Sequence, residues 1–387
     1  MKHIILNAHE GESVELDLVE LAAYFEKMTD SRHQRGKIYP LGLLITLILL
    51  AKLAGEDKPL GITEWIRLRR DSLVSVFKCK HNRMPCLNTI RWVLEKVIDL
   101  EDLEKHLAWF MWEKFGTPQS KLTTLDGKSM RGTIPTGQTQ GTYLLTAYVP
   151  EDGIVLKQVE VGHKENEISA APQLIEALDL KGKLLCGDAM HTQRQHSVAV
   201  LAQGGDYLWF VKNNQPTLLA DVAQFFAPSQ RAAGFPFPPL PCSVAQSINK
   251  GHGRLEKRTL TLVEDTQGFL DWPGVRQVFR LERWVKRIRQ GTETMEVVYG
   301  ITSCDPQNGT AEQMLHWTRA YWGIENGLHY RRDVTLREDA TRIGASPLAQ
   351  VMALLNNFVV TLALKMSFSN LASARRAFNA QIASQLT

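Results

Sequence analysis

Five short runs decide the fold: Lys121-Leu-Thr-Thr-Leu-Asp-Gly127, Thr142-Tyr-Leu-Leu-Thr-Ala-Tyr-Val149, Ile154-Val-Leu-Lys-Gln-Val-Glu-Val161, Lys183-Leu-Leu-Cys-Gly-Asp188 and Tyr207-Leu-Trp-Phe-Val211. They are rich in β-branched and aromatic residues and read as strands. Pro150-Glu-Asp-Gly153 is a turn signal and joins the second and third as a hairpin. Helical spacing fills the later gaps: Ser169–Leu178, with Ser169 as a cap, and His191–Ala202. The order is three strands, helix, strand, helix, strand. That is an α/β arrangement.

Two acids close strands in this region. Asp126 ends the first run and Asp188 the fourth, followed by Gly127 and Ala189, small residues beside which a ligand has room. Ligands of open α/β sheets gather beyond the carboxyl ends of strands. If those two strands are neighbours, the carboxylates converge, and like charges side by side need neutralising. Oxygen ligands without a Cys or His partner point to Mg2+ or Mn2+ rather than zinc. A third acid, Glu325, lies on a helix whose apolar positions are Trp317, Tyr321, Ile324 and Leu328, with His329 one turn on. Each acid alone has a plainer reading: a turn residue, a helix cap, or a partner for Arg319 or Arg332. The three together, in this strand order, are harder to explain that way.

Outward from this region, the first stretch up to about Gly116 is helical throughout: Val14–Met28, Tyr39–Ala54, Thr63–Phe77, Thr89–Ile98 and Leu103–Phe115. The expectation is an all-α region over residues 1–118 and an α/β region over 119–387. Beyond Pro216 the pattern is interrupted. Phe225–Pro241 is rich in Pro and Gly, and strand-like runs follow at Arg258–Val263, Val275–Val285 and Glu296–Ile301. This reads as a strand-rich insertion over about 216–293. Helices resume from Gly309 to Tyr330 and from Pro347 to Leu364, and the polar end after Ser367 is expected to fray.

Composition excludes several classes. With 387 residues, 44% hydrophobic and 22% charged, the chain is neither disordered nor short of core material. Five cysteines with no CxxC, and no HxxxH or HExxH, argue against a disulfide scaffold or a zinc site and suit a reducing cytosol. The longest apolar run, Leu41 to Ala54, falls short of the roughly twenty residues that span a bilayer. Met1–Glu20 lacks the apolar segment of a signal peptide.

The net charge of +4 permits a nucleic-acid partner without requiring one. Arg276, Arg280, Arg283, Lys286, Arg287 and Arg289 face only Glu282, and Arg67, Arg69, Arg70, Lys78, Lys80 and Arg83 face only Asp71. Such stretches bind phosphates without reading sequence, or are simply solvated faces. Pro85–Glu95 reads as a turn followed by a helix that exposes Asn88, Thr89 and Arg91, either for base contacts or for packing.

The local strings carry a resemblance. They are Leu125-Asp-Gly-Lys-Ser-Met-Arg131, Gly187-Asp-Ala-Met-His-Thr-Gln193, Gly205-Asp-Tyr-Leu-Trp-Phe-Val-Lys-Asn-Asn-Gln215, Gly251-His-Gly-Arg-Leu-Glu-Lys-Arg258 and Trp322-Gly-Ile-Glu-Asn-Gly-Leu-His-Tyr-Arg-Arg-Asp-Val334. Together they resemble the ribonuclease-H-like core of bacterial DDE insertion-sequence transposases, in the branch of the H-repeat-associated proteins. Asp30-Ser-Arg-His-Gln-Arg-Gly-Lys37 and Ile62-Thr-Glu-Trp-Ile66 resemble that branch's N-terminal associated domain.

The resemblance implies a catalytic and metal-binding triad of Asp126, Asp188 and Glu325 holding two Mg2+ or Mn2+ ions, with Asp126 shared between them. It implies double-stranded DNA as partner, both element ends and target, and a homodimer in the DNA complex. It implies cytoplasmic action on the nucleoid. DNA contacts are expected from Lys128 and Arg131, from Lys212 at the end of the fifth core strand, from Arg254 in a basic loop beside His252, and from His329 and Arg332. The family's Tyr-x2-Arg-x3-Glu-x6-Lys signature is only partly met. Thr318 holds the Tyr position, Tyr321 the Arg position and Arg332 the Lys position. The alternative is a catalytically silent or domesticated DNA-binding remnant, and a third option is a nuclease unable to join strands.

Overall fold

Alternation along the strand Asp206–Val211 sets the architecture. Tyr207, Trp209 and Val211 face one side, Leu208 and Phe210 the other, and all five are buried. A strand buried on both faces needs cover on both sides of its sheet. The computed structural model describes residues 3–8, 13–79, 82–162, 165–227, 240–251, 253–344 and 346–386.

In chain order the elements begin with β1 (His3–Asn7), β2 (Ser13–Asp17), α1 (Leu18–Phe25), α2 (Leu41–Leu53), α3 (Pro59–Leu68), α4 (Arg70–Phe77), α5 (Leu87–Trp92) and α6 (Leu100–Phe115). The central part holds β3 (Leu122–Ser129), β4 (Tyr143–Val149), β5 (Ile154–Val161), α7 (Glu167–Glu176), β6 (Leu184–Gly187), α8 (Arg194–Ala202), β7 (Asp206–Val211) and α9 (Pro216–Gln224). There follow β8 (Cys242–Gly251), β9 (Arg254–Glu264), β10 (Gln277–Arg287), β11 (Thr292–Thr302), α10 (Ala311–Ala320), α11 (Ser346–Lys365) and α12 (Leu371–Gln385).

The fold is mixed α/β around one large sheet. Nine strands run in the order β5-β4-β3-β6-β7-β11-β10-β9-β8. β3, β6 and β7 are mutually parallel, and the remaining pairs are antiparallel. Helices α7, α8 and α9 cover one face of the sheet and α10 the other. The segment expected as an insertion does not stand apart. Its strands continue the same sheet through β11, which pairs with β7. β8 was not anticipated, because this edge strand is exposed along most of its length and carries little apolar pattern. Of the Pro-rich stretch, residues 228–239 lie outside the described residues, as do Lys80 and His252.

Two expectations are corrected. The first region is not all-α, because β1 and β2 form an antiparallel hairpin. Ile4, Leu6, Val14 and Leu16 alternate inward, but five-residue strands are too short to outweigh the helical pattern that follows them. The C-terminal end is not frayed either. Leu371, Ala374, Phe378 and Ile382 form a buried stripe on α12. The side-chain amides of Gln381 and Gln385 complete the free edge of β1, donating to Asn7 O and Ile5 O and accepting from Asn7 N and Ile5 N at 2.8–3.1 Å.

The N-terminal helices, α11 and α12 share one hydrophobic core, so both ends of the chain build the same helical layer. Every residue of α2 is buried. α11 is long and apolar enough to cross a membrane by length and composition, but 78% of its apolar window is buried inside this fold.

Candidate active site

Strand register brings the first two acids together. Leu125 of β3 pairs with Gly187 of β6 in a parallel ladder, so Asp126 and Asp188 are the next residues of neighbouring strands. Period-two alternation then sets their face. Leu122 on β3, Leu184 and Cys186 on β6, and Leu208 and Phe210 on β7 point toward α10. By the same alternation Asp126, Asp188 and Lys212 continue that face, Asp188 and Lys212 just past the ends of β6 and β7, whereas β3 runs three residues beyond Asp126 to Ser129 along β4. The Asp188 carboxylate also caps the short turn Ala189–His191, accepting from Met190 N at 2.8 Å.

The third acid reaches this face from a π-helical segment, Ile324–His329, which continues α10. π-Helical turns widen a helix and recur at functional sites. Buried Ile324 and Leu328 anchor the segment and Glu325 is exposed. Donor atoms of Asp126, Glu325 and His329 lie within 4.8 Å of one another. His329 is 3% exposed, with Nε2 3.3 Å from Asp126 Oδ2, yet neither ring nitrogen makes a hydrogen bond. Clustered carboxylates beside an unpaired buried imidazole are a donor set that fits a divalent cation.

A cleft of about 430 Å³ opens over these groups. Asp126, Asp188 and Glu325 line one part, and Lys212, Arg258 and Arg283 another. Arg283 and Arg258 are cross-strand partners on β10 and β9, on the face of Leu281 and Leu260. They share Glu256, at 2.9 and 2.8 Å. The indole of Trp322, 54% exposed, and the Tyr321 ring also border the cleft. Burial, then the negative charges of Asp126, Asp188 and Glu167, pushes the Tyr321 phenol far up, so it stays protonated. A larger cavity, about 580 Å³, lies among α1, α2 and α4; among the described residues Glu26 is the sole acid lining it.

Beneath the acids lies a cluster the sequence did not reveal. Glu167, at the start of α7, accepts a hydrogen bond from the Tyr143 hydroxyl and lies 3.2 Å from Nε2 of buried His191. Burial pushes the Glu167 carboxyl up, but contact with His191 and Tyr143 outweighs it and holds the group below its usual range. The space beside Gly127 is taken by this pair. A Cβ there would meet the Glu167 carboxylate and the Tyr143 hydroxyl at 2.5 Å. Gly127 therefore makes room for Glu167 and Tyr143 rather than for a ligand.

The remaining expected contacts divide. Lys212 is exposed at the cleft and Arg254 is exposed at the start of β9. Arg131 is 77% exposed, 3.9 Å from Asp339. Lys128 is 5% exposed and ion-paired with Asp333, with Asp339 at 3.6 Å. It is an internal charge and not a free phosphate contact. Arg332 is also corrected. It is fully buried, binds both oxygens of Glu338 at 2.9–3.1 Å and donates to Asn357 Oδ1 at 3.3 Å. No DNA backbone reaches it there.

The basic stretch 276–289 is largely neutralised. Arg276 pairs with Asp305, Arg280 with Glu282, Arg283 with Glu256 and Lys286 with Glu293. In the N-terminal stretch, Arg69 stacks on Trp65 at 4.5 Å.

Comparison with known sequences identifies the family. Residues 22–111 match the family described as DDE_Tnp_1-associated, and residues 117–362 match the Transposase DDE domain family. The chain is 30% identical to "Putative transposase YncI" of Escherichia coli O157:H7 over 347 residues, 87% of this chain and 85% of that one. It is 26% identical to "H repeat-associated putative transposase YhhI" of E. coli K12, over 90% of this chain and 91% of that one. A solved synaptic complex of piggyBac transposase with hairpin DNA aligns at 11% identity and a TM-score of 0.45, over 95% of this chain and 79% of that one.

Proposed function

The chain belongs to the DDE transposase family, and from that premise we propose that it is the DNA transposase of a bacterial insertion sequence. It cuts double-stranded DNA at the element ends and joins them to target DNA. Strands β3–β7 act as a ribonuclease-H-like catalytic core within residues 119–387, and the region 1–118 contacts DNA or a partner copy. The observation that carries the reading is the register Leu125–Gly187, which sets Asp126 beside Asp188, with Glu325 gathered to Asp126.

Two divalent ions held by Asp126, Asp188 and Glu325 would supply the Lewis acidity that activates water, relieves charge at the reacting phosphate and stabilises the leaving oxygen. The rest is the work of the chain. Lys212 offers positive charge to the DNA backbone beside the acids, and Arg258 and Arg283 line the same cleft while sharing Glu256, with Glu296 3.6 Å from Arg283. Exposed Trp322 presents an aromatic face on which a base can stack. Tyr321 stands where related enzymes keep Arg, and as a neutral phenol it adds a hydrogen-bond donor and no charge. Glu167, Tyr143 and His191 pack against Gly127 and Gly187, the residues next to Asp126 and Asp188. Two element ends acted on together call for two copies of the chain.

A second reading has one specific support. With Tyr321 and Thr318 in the signature positions and Arg332 buried, the chain lacks part of the family's DNA-contact set. That favours a DNA-binding remnant without cutting. Labelled DNA carrying the flanking element ends, incubated with Mg2+ or Mn2+, separates the two. Nicks at the element boundary that vanish in Asp188→Ala support the transposase. Unchanged nicking in a folded Asp188→Ala protein overturns it, and salt-sensitive binding without nicks supports the remnant.

A further inference from the structure

His329 is the buried group that the proposed chemistry leaves without a task. Its side chain is 3% exposed, and both ring nitrogens lack a hydrogen bond. An imidazole buried without a partner costs about 1–3 kcal/mol, so such groups usually have one. Its neighbour is Asp126, 3.3 Å from Nε2 but not in hydrogen-bonding geometry. Glu325 is four residues back on the same π-helical segment, and the three donor atoms lie within 4.8 Å of one another. Two ligands of one ion, each at about 2.2 Å, stand at most about 4.4 Å apart. Only one pair of three ligands can stand that far apart, the others lying at about 3.1 Å, so closing the three atoms around one cation takes side-chain movements of up to about 1 Å.

We propose that His329 is itself a metal ligand, so that the ion between Asp126 and Glu325 occupies a mixed oxygen–nitrogen site that selects Mn2+ over Mg2+. This rests on the reading of the cleft as a metal-dependent centre and goes beyond it. A site of carboxylates alone is hard and suits Mg2+. Neutral imidazole donates its lone pair better to a transition ion than to Mg2+. Asp188 lies outside the three-residue set. The two halves of the site therefore differ: Asp126 with Glu325 and His329 is the softer half, and Asp126 with Asp188 the harder.

The test is Mn2+ binding to the full chain without DNA, followed by titration and by pulsed electron paramagnetic resonance. Bound Mn2+ is expected to show coupling to a nitrogen nucleus, which changes to the 15N pattern in protein grown with 15N-histidine. His329→Gln loses the coupling, and His316→Gln, at an exposed histidine outside the cleft, keeps it. Losing even an outer-shell partner of a ligand typically costs about 10–100-fold in metal affinity. His329→Gln is therefore expected to weaken Mn2+ at least about tenfold, and Mg2+, measured by competition, much less. The labelled wild-type protein carries the test if the variant fails to fold. Mn2+ bound without nitrogen coupling, yet lost in Asp126→Asn, overturns the role of His329 and leaves the carboxylate site standing. Absence of Mn2+ binding in the wild type overturns both.

Discussion

Arg332 lies seven positions after Glu325, and the two ends of that segment treat charge in opposite ways. At Glu325 the acids face a cleft, and the imidazole among them makes no hydrogen bond. Around Arg332 the fully buried charges are matched. Glu338 takes both Arg332 and the Asn356 amide, Asn356 accepts from Lys52 of α2 at 2.5 Å, and Lys52 pairs with Asp57, which also binds Arg375 of α12. Lys128, two residues past Asp126, is tied to Asp333 in the same region. The paired network joins the sheet to helices from both ends of the chain. Charges left unmatched are available to a ligand, whereas matched ones hold the frame around them. The two regions should therefore respond to substitution in opposite measurements.

The largest effect belongs to the unmatched acids. Asp126→Asn removes a charge that neighbouring carboxylates disfavour, so the metal-free melting temperature is expected to stay level or rise. Cleavage of element-end DNA should fall by several kcal/mol of transition-state stabilisation, about a thousandfold or more. Calorimetry and a cleavage assay on the same preparation check both halves. Next comes the paired region. Arg332→Ala leaves Glu338 buried and uncompensated, at a cost of about 3–5 kcal/mol in urea unfolding. Replacing Glu338 with Leu as well should return part of that loss. A drop in DNA affinity without a drop in stability would return Arg332 to the DNA surface and break the comparison.

Glu167 lies between the two classes, since it is buried and paired but sits directly under the site. Glu167→Gln is expected to cost about 1–3 kcal/mol. The pH sign follows from its depressed carboxyl. Its contribution is present above the ordinary carboxylate value of about 4.3 and is lost as pH falls through the lower folded value. The Gln variant should show a shallower acid limb, read by melting temperature from pH 7 downward.

Much of this was readable in the chain. The strand order was legible in periodicity; Asp126 and Asp188 were picked as acids at strand ends and Glu325 beside an apolar helical stripe, although β3 runs on to Ser129, three residues past Asp126. Glu167 was missed because an acid in the first turn of a helix ordinarily meets water. Only the packing of α7 against β4 and the Ala189–His191 turn buries it. Arg332 and Lys128 were misjudged for the same reason, since sequence shows their charge but not that Glu338 and Asp333 meet it. Counting charges over 276–289 overlooked Glu256, Glu293 and Asp305, which lie outside the stretch yet pair with its residues. Alternation from Leu281 to Arg283 was the available signal for the cleft's basic wall. The hairpin β1–β2 was too short to outweigh the helices after it.

The smallest effect tests that wall. Lys212→Ala, at the exposed cleft lysine, should weaken DNA binding evenly across sequences and reduce the salt slope by about one, as for the loss of one phosphate contact, and Arg283→Ala, whose charge Glu256 already meets, should do so less. Arg276→Ala, whose partner Asp305 lies outside the cleft, should change the slope less.

The central claim is that the cleft acids do chemistry while the rest of the chain binds. It is tested most directly by following binding and nicking together on one labelled element-end fragment, as Mg2+ is added to wild type and to Glu325→Gln. The account predicts equal binding by both proteins, and boundary nicks that appear with Mg2+ in the wild type alone. Nicking by Glu325→Gln at the wild-type rate would contradict it.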